Sequence, residues 1–461
     1  MFRRMIVAIL TLALRIFFRR IEVSGLRRVP REGACIFVLN HPNGLVDPVF
    51  ILCCAPRRVS FLAKAPIFKM PVIGWLARAL EAIPIYRRQD EGADLSRNQE
   101  TFACARSLLK GGGTLAVCPE GVSHSDTKLR PVKTGAARIA LGVMAEDARL
   151  DLKIVPAGLY YTSKTAFRSA ALLRFGEPLK VPFVALDANG EPPAEAVRAL
   201  SAQIERALHD VTLNAEHEQA LNFIKRAERV FSAAADTAED APDAQSLARE
   251  VELQRRFLAG YAFHFERSPE RLVDLEARLH RYEEELRQAG VDLEDLSAPK
   301  ASPLRLARYF LTRVVPVFYW FPLAVFGILV HYPAYKLAGF ISTAVARRSD
   351  DIVSTIKLIA AMFLFPLTWA GLAALFCCLL GWPGIFFGLF IGPLSAYVAL
   401  LFSEKLDNFI GGARAIRFYL TRRWFFKELL VERKRLREEM IALGEEAAAA
   451  MMPGAPTRNT I

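Results

Sequence analysis

The sequence predicts an α/β domain followed by a helical segment and a C-terminal pair of membrane-spanning helices. Short apolar runs that end at proline or glycine recur through the N-terminal half, as expected of buried strands. Farther along, the run from Leu358 to Ser403 contains 46 residues without a charge or a histidine. The chain of 461 residues is long enough for two or three such units. The predicted segments are 1–30, 31–186, 187–300, 301–425 and 426–461.

The first segment, 1–30, predicts a helix that lies in the plane of a membrane. Met5 to Leu14 is apolar, but its 10 residues are too few to cross a hydrocarbon core of about 30 Å. No small-residue cleavage site follows, which argues against a secretory signal. Arginines frame the run on both sides, as in helices that bind anionic lipid: Arg3, Arg4, Arg15, Arg19 and Arg20.

The most informative feature of the chain is a turn with a histidine at one end and an aspartate at the other. Cys35–Asn40 predicts a short buried strand that leads into this turn. On one regular helix His41 and Asp47 would point about 240° apart, so the turn must bring them together. We expect Asp47 to cap a helix over Pro48–Cys54, because a residue before proline avoids the helical conformation. Taken alone, the pair also fits a strand end and a helix cap.

Three further strand-like blocks follow. Residues 80–88 end in two arginines, residues 114–121 end in Pro-Glu-Gly, and residues 153–161 are interrupted by proline and glycine. In their order and spacing, over about residues 25–185, the four blocks resemble those of the glycerophospholipid acyltransferase superfamily. The resemblance implies an α/β acyltransferase domain, a mixed sheet flanked by helices, over 31–186. In that family the first block is catalytic, the second and third bind the acceptor's phosphate, and the fourth lies near the acyl donor.

The chain departs from the commonest family pattern in two blocks. Five residues, rather than four, separate His41 from Asp47, a spacing that resembles the branch of yeast-type glycerol-3-phosphate and dihydroxyacetone-phosphate acyltransferases. The third block, Cys118–Ser123, lacks the arginine that is often assigned to phosphate. Lys133 and His124 are its nearest replacements, although Lys133 equally fits a solvated lysine at a helix start.

Transfer of an acyl group from a thioester to an alcohol requires a base for the hydroxyl proton. The thiol leaves with little acid assistance, since its pKa is about 8.5, so one histidine is enough. Imidazole, with an ordinary pKa of about 6.5, accepts a proton at neutral pH. The residues therefore predict His41 as the general base and Asp47 as the carboxylate that holds the useful tautomer.

The other blocks supply candidates for binding the acceptor. A phosphate is well matched by the planar fork of an arginine, so Arg87 is the first choice and Arg88 the second. Glu120 would hydrogen-bond an acceptor hydroxyl or fix an arginine, and its alternative is a buried structural ion pair. Gly121 would allow close approach of the backbone.

Other chemistries are less well supported by the sequence. The stretch 121–125 lacks the last glycine of a serine-hydrolase elbow. The 7 histidines and 7 cysteines form no Cys-x-x-Cys or His-Glu-x-x-His motif, so we expect no metal and no cofactor beyond the acyl carrier. A net charge of +12 favours a membrane surface or anionic substrates, whereas no basic stripe is paired with base-stacking aromatics for nucleic acid.

The C-terminal half predicts integration into a membrane. Two crossings need about 20 residues each, which gives helices over 358–380 and 385–403 around a Gly-Trp-Pro-Gly turn. A third apolar stretch, 314–335, contains three prolines and has basic residues on both flanks, so we expect it to be re-entrant or interfacial. The charge pattern then places the catalytic domain in the cytoplasm, whereas a crossing by 314–335 would place it on the opposite side.

The remaining segments are predicted to be helical. Within 187–300, Ser268-Pro269 starts a helix with apolar residues on one face that ends at Gly290. This face is too short for a stable coiled coil and favours packing against a neighbouring helix. The last segment, 426–461, predicts a charged helix over 427–446 and then a disordered tail.

The sequence thus predicts an integral protein of the cytoplasmic (inner) membrane that transfers a fatty acyl group from acyl-CoA or acyl carrier protein. Glycerol-3-phosphate or dihydroxyacetone phosphate is the expected acceptor, and 1-acylglycerol-3-phosphate is the second choice. An alternative of another class is a non-catalytic membrane-anchored scaffold that retains the fold. The presence of His41, Asp47 and Glu120 argues against a scaffold.

Overall fold

A computed structural model describes residues 1–87, 90, 94–235, 246–293, 315–346 and 350–451. It consists of two compact units. The first contains Met1–Asn214 together with Ile341–Ile359, and the second contains Ala215–Phe340 together with Ala360–Ile461. The first unit therefore extends beyond the predicted 31–186 domain at both ends, and it includes a short segment from the C-terminal half.

A mixed eight-stranded sheet forms the centre of the first unit. Its order is β1-β7-β6-β2-β5-β3-β4, with β8 also paired to β6. Neighbouring strands are parallel except where β6 meets β7 and β8, which confirms the predicted mixed sheet. The strands are β1 Arg20–Ser24, β2 Cys35–Leu39, β3 Ser60–Lys64, β4 Ile83–Ile85, β5 Thr114–Val117, β6 Lys153–Tyr161, β7 Ala170–Phe175 and β8 Leu179–Lys180.

Helices cover both faces of this sheet. They are α1 Phe2–Phe17, α2 Val46–Cys54, α3 Pro71–Ala79, α4 Asn98–Lys110, α5 Gly135–Glu146 and α6 Ala194–Val211. The central strand β2 shows why two layers are needed: Phe37 packs in a core with α1 and α2, whereas Ile36 and Val38 pack in a second core with α4, α5 and α6. All five residues of β2 are buried, because each face of a parallel strand needs its own cover.

The α2 helix corrects the predicted start at Pro48. It begins at Val46, two residues earlier, with Leu45 as its N-cap residue. Asp47 therefore lies in the first turn rather than at the cap. Proline tolerates this position, because the N–H that it lacks has no partner within the helix at that point.

The soluble helices of the second unit form a bundle around one apolar core. They are α7 Glu218–Ala235, α8 Leu247–Arg267, α9 Pro269–Ala289 and α13 Arg423–Met451. The α9 helix starts and ends as predicted, and Gly290 follows it in the left-handed conformation at φ 67°. Its buried face packs in a core that includes Leu436 of α13, so the face meets a neighbouring helix, as predicted.

The described residues also include three long apolar helices, which precede α13 in sequence: α10 Val315–Ala346, α11 Asp350–Leu380 and α12 Pro383–Thr421. Their apolar portions Tyr319–Ala346, Ile352–Leu380 and Pro383–Leu406 are each long enough to cross a membrane. Glycines allow close contact between α11 and α12, since a Cβ atom at Gly384 would lie 2.0 Å from the carbonyl oxygen of Phe376. The predicted hairpin is therefore present with longer helices, and Gly381 at φ 72° forms its turn.

The stretch 314–335, which the sequence predicts to be re-entrant or interfacial, is helical throughout its described part. Within the described residues it is one continuous helix, α10, that runs through Pro322 and Pro333. A helix satisfies its own backbone groups where no water competes, so an apolar sequence remains helical despite two prolines. His331 of α10 is buried, and its ring accepts a hydrogen bond of 3.0 Å from the indole N–H of Trp369 in α11. In the described part of the chain, three apolar helices, rather than two, thus satisfy the length and composition of a span.

Gly158 in β6 is in close contact with the end of α6. A substitution at this position therefore tests the packing of α6 against the sheet. A Cβ atom at position 158 would lie 2.0 Å from the carbonyl oxygen of Val211. We expect Gly158→Ala to lower the free energy of unfolding by at least about 2 kcal/mol, because backbone must move to admit the methyl group. Thermal unfolding of the purified protein measures this, with Gly111→Ala as the matched control, since the methyl group there meets its nearest atom at 3.5 Å. Equal melting temperatures for the two variants would contradict the packing.

Candidate active site

The turn after β2 is anchored to neighbouring strands by its first two residues. The side chain of Asn40 accepts a hydrogen bond of 2.7 Å from the N–H of Leu159 in β6 and donates one of 3.0 Å to its carbonyl oxygen. These bonds continue the pairing of β2 and β6 beyond the end of β2. The N–H of His41 then donates to Glu120 Oε1 at 3.0 Å, which ties the turn to the end of β5. The position of His41 is therefore fixed through its backbone.

The turn brings His41 and Asp47 into direct contact, as the sequence predicts. His41 Nδ1 lies 2.9 Å from Asp47 Oδ2, and the Asp47 side chain is fully buried. The same oxygen accepts a 2.7 Å bond from the N–H of Asn43 inside the turn. With Nδ1 donating to the carboxylate, the lone pair lies on Nε2, which bonds to no group in the described part of the chain. The ring is 19% exposed, so Nε2 has the tautomer and the access that a general base requires.

Tyr161 also bonds to Asp47, and sequence analysis did not identify this third residue of the site. Its hydroxyl, at the end of β6, donates a 2.6 Å hydrogen bond to the second carboxylate oxygen, Asp47 Oδ1. Burial, reinforced by the charge of Asp47, raises the pKa of Tyr161 well above its usual range, so the phenol keeps its proton and remains a donor at neutral pH. A tyrosine at a strand end has no local pattern that separates a hydrogen-bond donor from a core residue.

Cys118 lies near the same carboxylates, but it is not a nucleophile of the thiolate type. Burial is the main cause that raises the pKa of its thiol well above the ordinary value, and the charges of Asp47 and Glu120 act in the same direction. A thiol that stays protonated does not attack a thioester at neutral pH.

Glu120 and His124 form a second buried carboxylate–histidine pair. Glu120 Oε2 accepts hydrogen bonds from His124 Nε2 and, at 2.8 Å, from the N–H of Arg130. His124 Nδ1 in turn accepts a bond of 3.2 Å from the N–H of Asp126. Both side chains are thus occupied by protein groups. This arrangement corresponds to the buried structural pair that is the alternative for Glu120, and protein groups engage both ring nitrogens of His124.

Arg87 is likewise occupied by protein groups. Its guanidinium makes a bidentate pair with Asp90, at 3.0 and 2.5 Å, and donates at 2.5 Å to the carbonyl oxygen of Gly121. The hydrogen bonds from Arg87 lower the pKa of Asp90, so the pair stays ionised at neutral pH and loses its contribution to stability only under acid conditions. Arg87 therefore joins the second block to the third, and its charge is already compensated. Arg88, the second choice, lies outside the described residues.

Lys133 is the cation that the structure leaves available at the end of β5. Its backbone N–H donates at 2.9 Å to the carbonyl oxygen of Pro119, which brings the residue back to the third block. Its Nζ lies over Gly121, where a Cβ atom would be only 2.6 Å away. Among the residues that the structure describes, no carboxylate pairs with this exposed lysine. Gly121, at φ 74°, thus gives the lysine space as well as forming the turn.

No group of three or more metal-ligating side chains occurs in the described residues. The buried carboxylates have nitrogen donors around them instead: Asp47 accepts from a ring and a backbone N–H, and Glu120 does the same. The site thus consists of a base, an oriented carboxylate and a nearby cation. Such a set is suited to removing a proton from a hydroxyl next to an anionic group.

Comparison with known proteins gives two matches to family models. Residues 20–160 match the model described as Acyltransferase, and residues 238–452 match the Glycerol-3-phosphate acyltransferase 2 C-terminal domain. The chain is 26% identical to glycerol-3-phosphate O-acyltransferase 1 of Saccharomyces cerevisiae over 95% of its own length and 70% of that protein. It is 29% identical to the second yeast enzyme of this name, over 59% of its own length and 37% of that protein.

A plant relative and a solved structure match a smaller share of the chain. A chloroplastic 1-acyl-sn-glycerol-3-phosphate acyltransferase of Brassica napus is 28% identical over 32% of this chain and 39% of that protein. The crystal structure of the 1-acyl-sn-glycerophosphate acyltransferase of Thermotoga maritima covers 45% of this chain and 80% of that chain, at 20% identity and a TM-score of 0.32.

The site and the matches to the family models together identify the class. The chain is an acyltransferase of the glycerophospholipid acyltransferase superfamily. Within that superfamily, the matches to both the N-terminal and the C-terminal model and the similarity to the two yeast enzymes support the yeast-type branch of glycerol-3-phosphate acyltransferases. An acyl donor and a glycerol-phosphate acceptor are implied by this membership.

The different environments of Lys133 and Arg87 predict different kinetic effects. We expect Lys133→Gln to raise the KM for the phosphate-bearing acceptor about tenfold or more, because one charge-assisted contact to phosphate is lost. The KM for the acyl donor and the melting temperature should not change. Arg87→Gln should instead lower the melting temperature, since it leaves the partly buried Asp90 without its partner.

Steady-state kinetics with each substrate varied, together with thermal unfolding, separates these effects. Lys110→Gln is the control for a change of net charge. It removes the exposed lysine at the end of α4, which pairs with Glu146 of α5. If Lys133→Gln left the acceptor KM at the wild-type value, Lys133 would not contact the phosphate.

Proposed function

We propose that the protein transfers a fatty acyl group from acyl-CoA or acyl carrier protein to a hydroxyl of glycerol-3-phosphate or dihydroxyacetone phosphate, as a step of phospholipid biosynthesis. The observation that carries the proposal is the pair of His41 and Asp47, with Nε2 accessible, inside the matched acyltransferase domain. The similarity to a yeast glycerol-3-phosphate O-acyltransferase over 95% of the chain supports the acceptor.

The pair performs this reaction with one base. His41 Nε2 removes the proton of the acceptor hydroxyl while the oxygen forms a bond to the thioester carbon, and Asp47 stabilises the imidazolium that results. The C–S bond then breaks, and the departing thiolate takes the proton back from Nε2. Tyr161 holds Asp47 from the other side, so the carboxylate keeps its orientation through the cycle. The residues of this chain need no metal or other cofactor for these steps.

We assign the acceptor from two observations: a lysine that could bind its phosphate, and the share of the chain that each related enzyme matches. Lys133 offers a cation to the phosphate, and Gly121 leaves room for the lysine side chain at the end of β5. The second candidate acceptor, 1-acylglycerol-3-phosphate, is favoured by the similarity to the plant enzyme, but that similarity is limited to 32% of the chain. Glycerol-3-phosphate therefore remains the first choice.

The protein is integral to a membrane, and we assign it to the cytoplasmic (inner) membrane with its catalytic domain in the cytoplasm. One face of α1 supports contact with anionic lipid, because it carries a row of exposed apolar side chains next to arginines. The row consists of Phe2, Met5, Ile9, Leu12 and Ile16, and the exposed ring of Trp75 in α3 contacts Phe2. Nucleic acid is not among the proposed partners, since nothing pairs basic residues with base-stacking aromatics.

Packing inside each unit limits the number of crossings. In the second unit, Leu279 of α9 and Leu436 of α13 share one core, so the chain segments before and after the apolar helices lie on one side of the membrane. An even number of crossings must separate them. In the first unit, Thr355 at the start of α11 bonds to Leu45, and α10 is the only candidate span between these residues in the described part of the chain. We therefore propose that α11 and α12 cross while α10 does not.

The catalytic proposal predicts that His41→Ala abolishes acyl transfer. We expect a fall in kcat of at least about a hundredfold, because general-base catalysis by a positioned side chain contributes about 10²–10⁴. The measurement is transfer of a labelled acyl group from acyl-CoA and from acyl carrier protein to glycerol-3-phosphate, dihydroxyacetone phosphate and 1-acylglycerol-3-phosphate. Wild-type activity in His41→Ala would refute the mechanism. If the wild-type protein were most active on 1-acylglycerol-3-phosphate, that compound would become the first choice of acceptor.

The topology predicts which positions are reached from the cytoplasm. A reporter inserted at residue 300 and one fused after residue 461 should both report the cytoplasm. A reporter at Trp382, in the turn between α11 and α12, should report the opposite side. Opposite locations for residue 300 and the C-terminus would show that α10 crosses the membrane.

A further inference from the structure

The start of α11 reaches the turn that carries His41 and Asp47. The N–H of Leu45 donates a hydrogen bond of 3.2 Å to the hydroxyl oxygen of Thr355. The preceding residue, Ser354, donates through its hydroxyl to the carbonyl oxygen of Lys164, and Lys357 Nζ donates at 2.8 Å to the carbonyl oxygen of Thr165. These residues of α11 belong to the first compact unit, although they lie more than 300 positions from the turn in sequence.

The hydrogen bond to Thr355 gives the N–H of Leu45 a partner that the turn itself does not provide. The first N–H groups of a helix have no partner within that helix, and Leu45 is the N-cap residue of α2. No side chain caps α2 at this end. The next two N–H groups, of Val46 and Asp47, donate to the carbonyl oxygen of Asn43 at 2.9 and 3.3 Å, which leaves Leu45 to an outside acceptor. Thr355 is that acceptor.

The contact is shielded from water. Ser354 is fully buried and Thr355 is 7% exposed, so water does not easily replace the hydroxyl as a partner of Leu45. The segment that Ser354 holds is also in contact with the turn, because the carbonyl oxygen of Lys164 faces the side-chain N–H of buried Asn43 at 3.5 Å. The turn is thus supported at two points by the same part of α11.

We propose that Thr355 is a positioning residue for the catalytic pair. Its hydroxyl fixes Leu45, Leu45 begins the helix that carries Asp47, and Asp47 orients the ring of His41. This inference rests on the proposed function of His41 as the general base. Because five residues separate the histidine from the aspartate, the longer turn has one more backbone group to hold, and α11 supplies the partner. Thr355 lies in the region that matches the C-terminal family model, so that region completes the active site.

The experiment replaces only the acceptor oxygen in the full-length protein. Thr355→Val keeps the shape and removes the oxygen, whereas Thr355→Ser keeps the oxygen. Thr368→Val is the matched control, because Thr368 lies in the same helix and its hydroxyl bonds within the helix to Leu364. We expect Thr355→Val to lower kcat about five- to tenfold with both KM values within about twofold, as for a group that acts on the transition state. Thr355→Ser and Thr368→Val should match the wild type.

Hydrogen–deuterium exchange of the peptide 40–47 gives a second result that does not depend on catalysis. Exchange in this peptide should be faster in Thr355→Val than in the wild type and in Thr355→Ser, so it tests the contact even if the proposed acyl transfer is wrong. Unchanged exchange in Thr355→Val would overturn the proposal. So would a loss of kcat that serine does not restore, because that pattern indicates a general loss of structure. If Thr355→Val does not fold, Thr355→Ala provides the same comparison.

Discussion

The hydrogen bond between His41 and Asp47 is the constraint on which the rest of the site depends. It requires a turn that reverses the chain within five residues, and the buried Asp47 carboxylate must be matched by donors on every side. An unpaired carboxylate at that depth would take up a proton and no longer orient the ring. The donors come from the ring, from the turn and from β6. The end of the sheet is thus arranged around one negative charge.

The cationic side chains around the pair differ in whether a carboxylate of the protein already neutralises them. Arg87 and His124 have carboxylate partners, and their contacts join the ends of β4 and β5 to the turn. Lys133 has none in the described part of the chain. A compensated cation holds structure, because binding a phosphate would cost its existing ion pair, whereas an uncompensated one attracts an anion without that cost. A lysine from the following loop thus lies beside the third block, which lacks the usual arginine.

The membrane helices have two functions in this arrangement. Their apolar length keeps the protein in the bilayer, where the acyl product belongs. The first turns of α11 also support the catalytic turn through Ser354 and Thr355. Such a support links correct folding of the membrane region to the geometry of the base. It gives a physical reason for the occurrence of the two family regions in one chain.

The sequence by itself determined the class of fold, the contact between His41 and Asp47, the α9 helix and the membrane hairpin, because each depends on local spacing or on a long uncharged run. Only the tertiary structure decided that Asp47 lies inside the first turn of α2 and that Tyr161 and Thr355 bond to the turn. It also decided that Arg87 has a carboxylate partner, whereas Lys133 has none among the described residues. Partners in these contacts lie up to 310 positions apart in sequence. Local patterns do not record such pairings, because they depend on which strand ends and helix starts the packed sheet brings together.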